Sequence, residues 1–123
     1  MSVRERRVLV VDDDVSIRGF LAEALKDEGY EVQTAGNGHE ALVLLRVWRP
    51  DLILLDLMMP VMDGWAFRME QRLMPGMADV PVIVLSATRD LPAKAEQLEP
   101  AYLFSKPFDL HDLLSTIEQA TTG

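Results

Sequence analysis

Five polar residues stand where short apolar runs of this chain break off. Asp12 and Asp13 follow Val8-Leu9-Val10-Val11, and Asp56 follows Leu52-Ile53-Leu54-Leu55. Ser86 follows Val82-Ile83-Val84-Leu85, and Lys106 follows the stretch Ala101 to Ser105. A run of four apolar residues without polar alternation reads as a strand buried on both faces. Such a strand has no use for a carboxylate in its middle, so each acid marks the point where its strand leaves the core. Pro60 says that the ladder has ended after Asp56.

Brought together, these side chains would need a cation. Two carboxylates about 4 Å apart repel by roughly 4 kcal/mol at an effective dielectric near 20. Three in one pocket either raise their pKa values or hold a cation among them. The candidate ligands are hard oxygens, and the chain has no cysteine, which selects Mg²⁺ or Mn²⁺ over zinc. A carboxylate can attack phosphorus to give an acyl phosphate. The transfer itself needs mainly positioning and charge neutralisation. On this reading Asp56 is the nucleophile, Asp12 and Asp13 hold the metal, and Lys106 and the Ser86 hydroxyl bind phosphoryl oxygens.

The elements between the runs have to bring them to one place. Ile17, Leu21, Ala24 and Leu25 recur at helical spacing, Asp14 is the expected N-cap and Gly29 the stop. Tyr30 to Ala35 reads as a short strand. Asn37 and Glu40 form a capping box that opens a helix through Ala41, Leu44, Leu45 and Trp48, and Pro50 closes it. Asp63-Gly64 starts a helix carried by Ala66, Phe67, Met69, Glu70 and Leu73, which Pro75-Gly76 ends. Leu91 to Leu98 is weakly helical. Asp109 caps a last helix carried by Leu110, Leu113, Leu114 and Ile117. Single aspartates at such places are usually caps, and Asp14, Asp63 and Asp109 are read that way. Five β-then-α units in strict alternation imply an α/β fold: a five-stranded parallel sheet with helices on both faces and right-handed crossovers. The flavodoxin-like order 2-1-3-4-5 then sets strands one, three and four side by side. All five polar residues fall at its carboxyl edge, where ligands of open α/β sheets bind.

The remaining features narrow the class. The chain's 123 residues suit one domain spanning residues 1–123. No apolar run reaches membrane-spanning length, and Met1 to Arg7 lacks the apolar core of a signal peptide. A cytoplasmic protein with no membrane partner is expected. A net charge of −8 argues against direct contact with nucleic acid. A monomer or weak dimer is expected.

The motifs resemble those of the receiver domains of bacterial two-component response regulators, over essentially the whole chain. Val10-Val11-Asp12-Asp13-Asp14 matches the acidic motif of the first strand, and Asp51 to Gly64 (DLILLDLMMPVMDG) the phosphoacceptor segment. Val80 to Ala87 matches the fourth strand with its hydroxyl, and Lys106-Pro107-Phe108 the lysine motif. The resemblance implies that Asp56 accepts phosphate from the phosphohistidine of a histidine kinase or phosphotransfer domain. It implies Mg²⁺ on Asp13, Asp56 and the Met58 backbone carbonyl, with Asp12 acting through water, and a cis peptide before Pro107. It implies a self-catalysed switch rather than an enzyme, read by an output partner through the last two helices and the fifth strand. With no further domain after Gly123, a stand-alone regulator or a receiver from a longer protein is expected.

Two positions depart from the pattern. Leu103 stands where an aromatic residue is usual, and Glu99-Pro100 where Gly-Ala is usual. A response routed through the Ser86 loop and the segment Leu91 to Pro100 is therefore expected. Two rival readings fit parts of the sequence. Asp12-x-Asp14-x-Ser16 imitates the nucleophile motif of haloacid-dehalogenase-like phosphohydrolases, but that reading leaves Asp56 idle. A pseudo-receiver that only binds a partner would not need the intact acid pair.

Overall fold

Apolar runs bounded by acids, prolines and glycines become short strands, and the 3.6-residue patterns between them become helices. The computed structural model describes residues 6–57, 59, 61–86 and 98–122. The elements are β1 (Arg7–Val11), α1 (Val15–Asp27), β2 (Glu31–Ala35), α2 (Gly38–Leu45), β3 (Leu52–Asp56), α3 (Gly64–Leu73), β4 (Val82–Ser86), β5 (Tyr102–Ser105) and α4 (Leu110–Thr121). The helix expected over Leu91 to Leu98 lies, except for Leu98, outside the described residues, as do Met58 and Pro60.

All strand pairs are parallel, in the order β2-β1-β3-β4-β5. This is the expected fold. Residues alternate between the two faces of each strand, and the core divides accordingly. Leu9, Val11, Ile53, Leu55, Val82 and Val84 pack with Ala41 and Leu45 of α2 and Phe67 of α3. Val8, Val10, Leu52, Leu54, Ile83 and Leu85 pack with Leu21 and Leu25 of α1 and Leu113 and Ile117 of α4. Leu103 joins the first group and Phe104 the second, so neighbours on β5 face opposite ways.

The four expected caps form. Asp14 accepts from the amides of Ser16 and Ile17, Asn37 from Glu40, Asp63 from Ala66 and Asp109 from Asp112. Gly29 ends α1 with φ +96°, a conformation glycine adopts without steric cost.

Three details differ from the sequence reading. The Glu40 carboxylate accepts from the Gly36 amide (3.1 Å), one residue before the amide that a capping box would use. Helix α2 ends at Leu45, because the amides of Val47 and Trp48 turn back together onto the Leu44 carbonyl. On α3 the inward face is Gly64, Phe67, Arg68 and Gln71, while Met69 and Leu73 are exposed. Helical periodicity misassigned that face because it presumes that the inward residues are apolar.

Gly64 joins the fold to the site. Its amide donates to the Leu57 carbonyl (3.0 Å). A Cβ there would lie 2.8 Å from Leu57 Cα and 3.0 Å from the Asp56 carbonyl oxygen. Leu57 is fully buried and cannot retreat. Gly64→Ala is expected to destabilise by about 1–3 kcal/mol through overpacking. Gly19, with nothing within 4 Å of its would-be Cβ, is the control: Gly19→Ala should stabilise helix α1 by roughly 0.5–1 kcal/mol. Urea midpoints of the two variants check this, and equal shifts would show that the close approach is not tight.

Candidate functional site

The carboxyl edge of the sheet is assembled by register. Val11 lies beside Leu55, so Asp12 and Asp56 leave neighbouring strands at the same level. Asp56 pairs with Leu85, and Ser86 with Ser105, which places Lys106 just beyond. Asp12, Asp56 and Ser86 are buried at 0, 4 and 5% exposure, whereas Asp13 is exposed. One carboxylate oxygen from each of Asp12, Asp13 and Asp56 lies within 4.8 Å of the others. Three hard anionic donors at that spacing, one of them open to solvent, fit a divalent cation that keeps part of its water.

Lys106 comes to the same place from 94 residues away. Its ammonium donates to Asp12 Oδ2 (2.9 Å) and lies 3.6 Å from Asp56 Oδ1. Burial works against the charge, but the hydrogen bond to Asp12 and the attraction of Asp56 and Asp12 outweigh it and hold the lysine pKa above its ordinary value. The Lys106 amide donates to the Ser86 carbonyl (2.7 Å), and the Lys106–Pro107 peptide is cis, as the motif implied. Sequence reading assigned Lys106 to phosphoryl oxygens alone; in the structure it also bridges two of the acids.

Asp12 is held at every polar atom. Its amide donates to the Ala35 carbonyl, and Asp12 Oδ1 accepts from the Asp14 amide (2.9 Å). Its carbonyl accepts from Arg18 Nη1 (2.8 Å). Sequence reading missed Arg18, and the available signal was its place on the first turns of α1, beside the inward-facing Ile17. Asp14 Oδ1 caps α1, so the Asp12-x-Asp14 imitation of a hydrolase motif has its second acid occupied as a cap. Met58, whose carbonyl was an expected ligand, lies outside the described residues.

The surroundings of the site are uneven. Beside Lys106, the side chains of Ile17, Phe20, Pro107 and Phe108 line a largely apolar cavity of about 450 Å³. No helix among the described residues is long and apolar enough to cross a membrane.

Comparison with known proteins agrees with this geometry. Residues 8–118 match the family model described as the response regulator receiver domain. The chain is 39% identical over 120 residues to the transcriptional regulatory protein PdtaR of Mycobacterium tuberculosis, covering 95% of this chain and 57% of that protein. It spans about half the length of the curated relatives it matches. Among solved structures, the chemotaxis response regulator CheY4 of Vibrio cholerae is 33% identical with a TM-score of 0.87, covering 95% of this chain and 99% of that one. The response regulator protein TrrA of Thermotoga maritima, solved in complex with Mg²⁺ and BeF, is 33% identical with a TM-score of 0.83, covering 94% and 98%.

Proposed function

This chain belongs to the response regulator receiver domain family, and from that premise we propose that it is a phosphorylation-controlled switch whose acceptor is Asp56. The observation that supports this most is the convergence of Asp12, Asp13 and Asp56 within 4.8 Å, with the Lys106 ammonium set between Asp12 and Asp56. The family is a phosphoacceptor switch rather than a classical enzyme. We assign the receiver unit to residues 1–123 and place it in the cytoplasm.

A carboxylate oxygen of Asp56 attacks the phosphorus of a phosphohistidine supplied by a sensor kinase or phosphotransfer domain. The P–N bond breaks as the P–O bond forms, the imidazole leaves as the neutral base once protonated, and an acyl phosphate remains. Bound Mg²⁺ would supply charge neutralisation at the phosphoryl oxygens. Asp13, Asp56 and the Met58 carbonyl would hold it, with Asp12 acting through water. Lys106 and the Ser86 hydroxyl take phosphoryl oxygens, and later hydrolysis of the acyl phosphate resets the switch. An output partner reads the switch through β5 and α4. The net charge of −8 makes this unit itself a poor direct ligand of nucleic acid.

Intact mass after incubation with acetyl phosphate or phosphoramidate and Mg²⁺ tests the proposal. A single labile phosphoryl adduct is expected. No adduct, or turnover of phosphate monoesters instead, would contradict it.

The metal assignment has its own test. Asp13→Asn removes an exposed ligand together with one negative charge from the cluster. Mg²⁺ affinity, followed by fluorescence or NMR titration, should fall at least about tenfold, since one charge at this range is worth over 1 kcal/mol. Stability without Mg²⁺ should hold or rise because repulsion is relieved. Unchanged affinity would place the metal elsewhere.

A further inference from the structure

Arg68 and Gln71 occupy the inward face of α3 with 6% and 0% exposure, where helical spacing favours apolar side chains. Buried polar groups persist where their hydrogen bonds are made. Arg68 Nε donates to the Leu98 carbonyl (3.0 Å), Nη2 to the Glu99 carbonyl (3.3 Å) and Nη1 to Gln71 Oε1 (2.7 Å). Gln71 Nε2 donates in turn to the carbonyls of Met77 (2.9 Å) and Val80 (3.2 Å). Arg72 adds a hydrogen bond to the Leu98 carbonyl. One polar cluster thus ties α3 to the turn before β4 and to the residues that lead into β5.

The geometry at Glu99 shows what this cluster does. Glu99 has φ +51°, the left-handed region that favours glycine. A residue with a side chain stays there when its surroundings over-determine it. The carbonyls of Leu98 and Glu99 belong to the two peptide planes that flank the Glu99 Cα. Successive carbonyls point the same way in a helical turn of either hand and opposite ways in an extended chain. A single guanidinium, with its rigid planar fork, can therefore grip both only when Glu99 is helical in sense, and Pro100, which follows, disfavours the right-handed sense at Glu99. Two residues on, the Ala101 amide reaches the Val82 carbonyl (2.8 Å) and β5 joins the sheet.

We propose that Arg68, seated by Gln71, is a latch that holds Glu99 in its left-handed conformation and thereby controls opening of the β5 edge of the sheet. The latch needs no phosphoryl group, so it stands or falls apart from the proposed switch.

Native-state hydrogen exchange on the full chain, without phosphodonor, tests it. In Arg68→Met the amides of residues 101–104 should exchange roughly tenfold faster, as expected for carbonyls that lose a charged donor, while those of β1 and β3 keep their rates. Adding Glu99→Gly to that variant should restore much of the protection, because glycine reaches φ +51° unaided. If Arg68→Met makes all strands exchange together, Arg68→Lys gives the same comparison: it keeps the charge but lacks the fork. Unchanged exchange at β5 in both variants, equal acceleration in β1 and β3 in the lysine variant, or no rescue by glycine would overturn the latch.

Discussion

Asp56→Asn is expected to abolish phosphoryl incorporation from acetyl phosphate, with the fold intact. The amide that replaces the carboxylate is a poor nucleophile and carries no charge to bind the metal. The neighbouring acids are badly placed to substitute. The Asp12 side chain is 1% exposed and already accepts from Lys106 and the Asp14 amide. Asp14 is occupied as the cap of α1, and Asp13 is left as the exposed member of the cluster. Asp56 alone combines the end of the central strand with a place beside both other acids. Intact-mass measurement of the variant should show the unmodified protein. Full incorporation, or a phosphoryl group mapped to Asp12 or Asp13, would remove Asp56 from its proposed role.

Lys106→Ala should destabilise the protein in the absence of Mg²⁺ by about 3 kcal/mol, the lower end of the range for leaving a buried charge without its partner. The lower end applies because the Lys106 side chain keeps 15% exposure, against 1% for Asp12 and 6% for Asp56. The same variant should bind Mg²⁺ more tightly than the parent, since the ammonium that competes for the two acids is gone. Added Mg²⁺ should therefore recover most of the lost stability through binding to the folded state. Because the folded-state pKa of Lys106 is raised, its contribution is fully present at neutral pH and is lost only as pH climbs through that raised value. Phosphorylation should still occur, with a weaker structural response. Urea denaturation with and without Mg²⁺ checks the first two effects. Equal destabilisation under both conditions, or weaker Mg²⁺ binding, would mean that Lys106 is not the internal counter-ion of the cluster.

Most of the frame was legible in the residues. Apolar runs at Val8–Val11, Leu52–Leu55 and Val82–Leu85 specify strands buried on both faces, and these became β1, β3 and β4. Alternation of side chains along a strand puts Leu103 and Phe104 on opposite faces, as they are. The caps at Asp14, Asn37, Asp63 and Asp109 were equally readable, because a cap depends on residues within one turn of itself. Strict β-then-α order with short connections left few topologies, so the common edge for Asp12, Asp13, Asp56, Ser86 and Lys106 followed from the order of the elements.

What remained hidden depends on contacts between distant segments. Local pattern cannot say that the Lys106 ammonium comes within 2.9 Å of Asp12 or that Arg18 reaches the Asp12 carbonyl. Nor can it turn Arg68 and Gln71 inward while Met69 and Leu73 face solvent. A periodic reading equates inward with apolar. That equation fails when a polar side chain finds hydrogen-bond partners inside, and the partners of Arg68 lie as far as 31 residues along the chain. The cost of burying a polar group is decided by whether those partners are present, and only the tertiary structure brings them there.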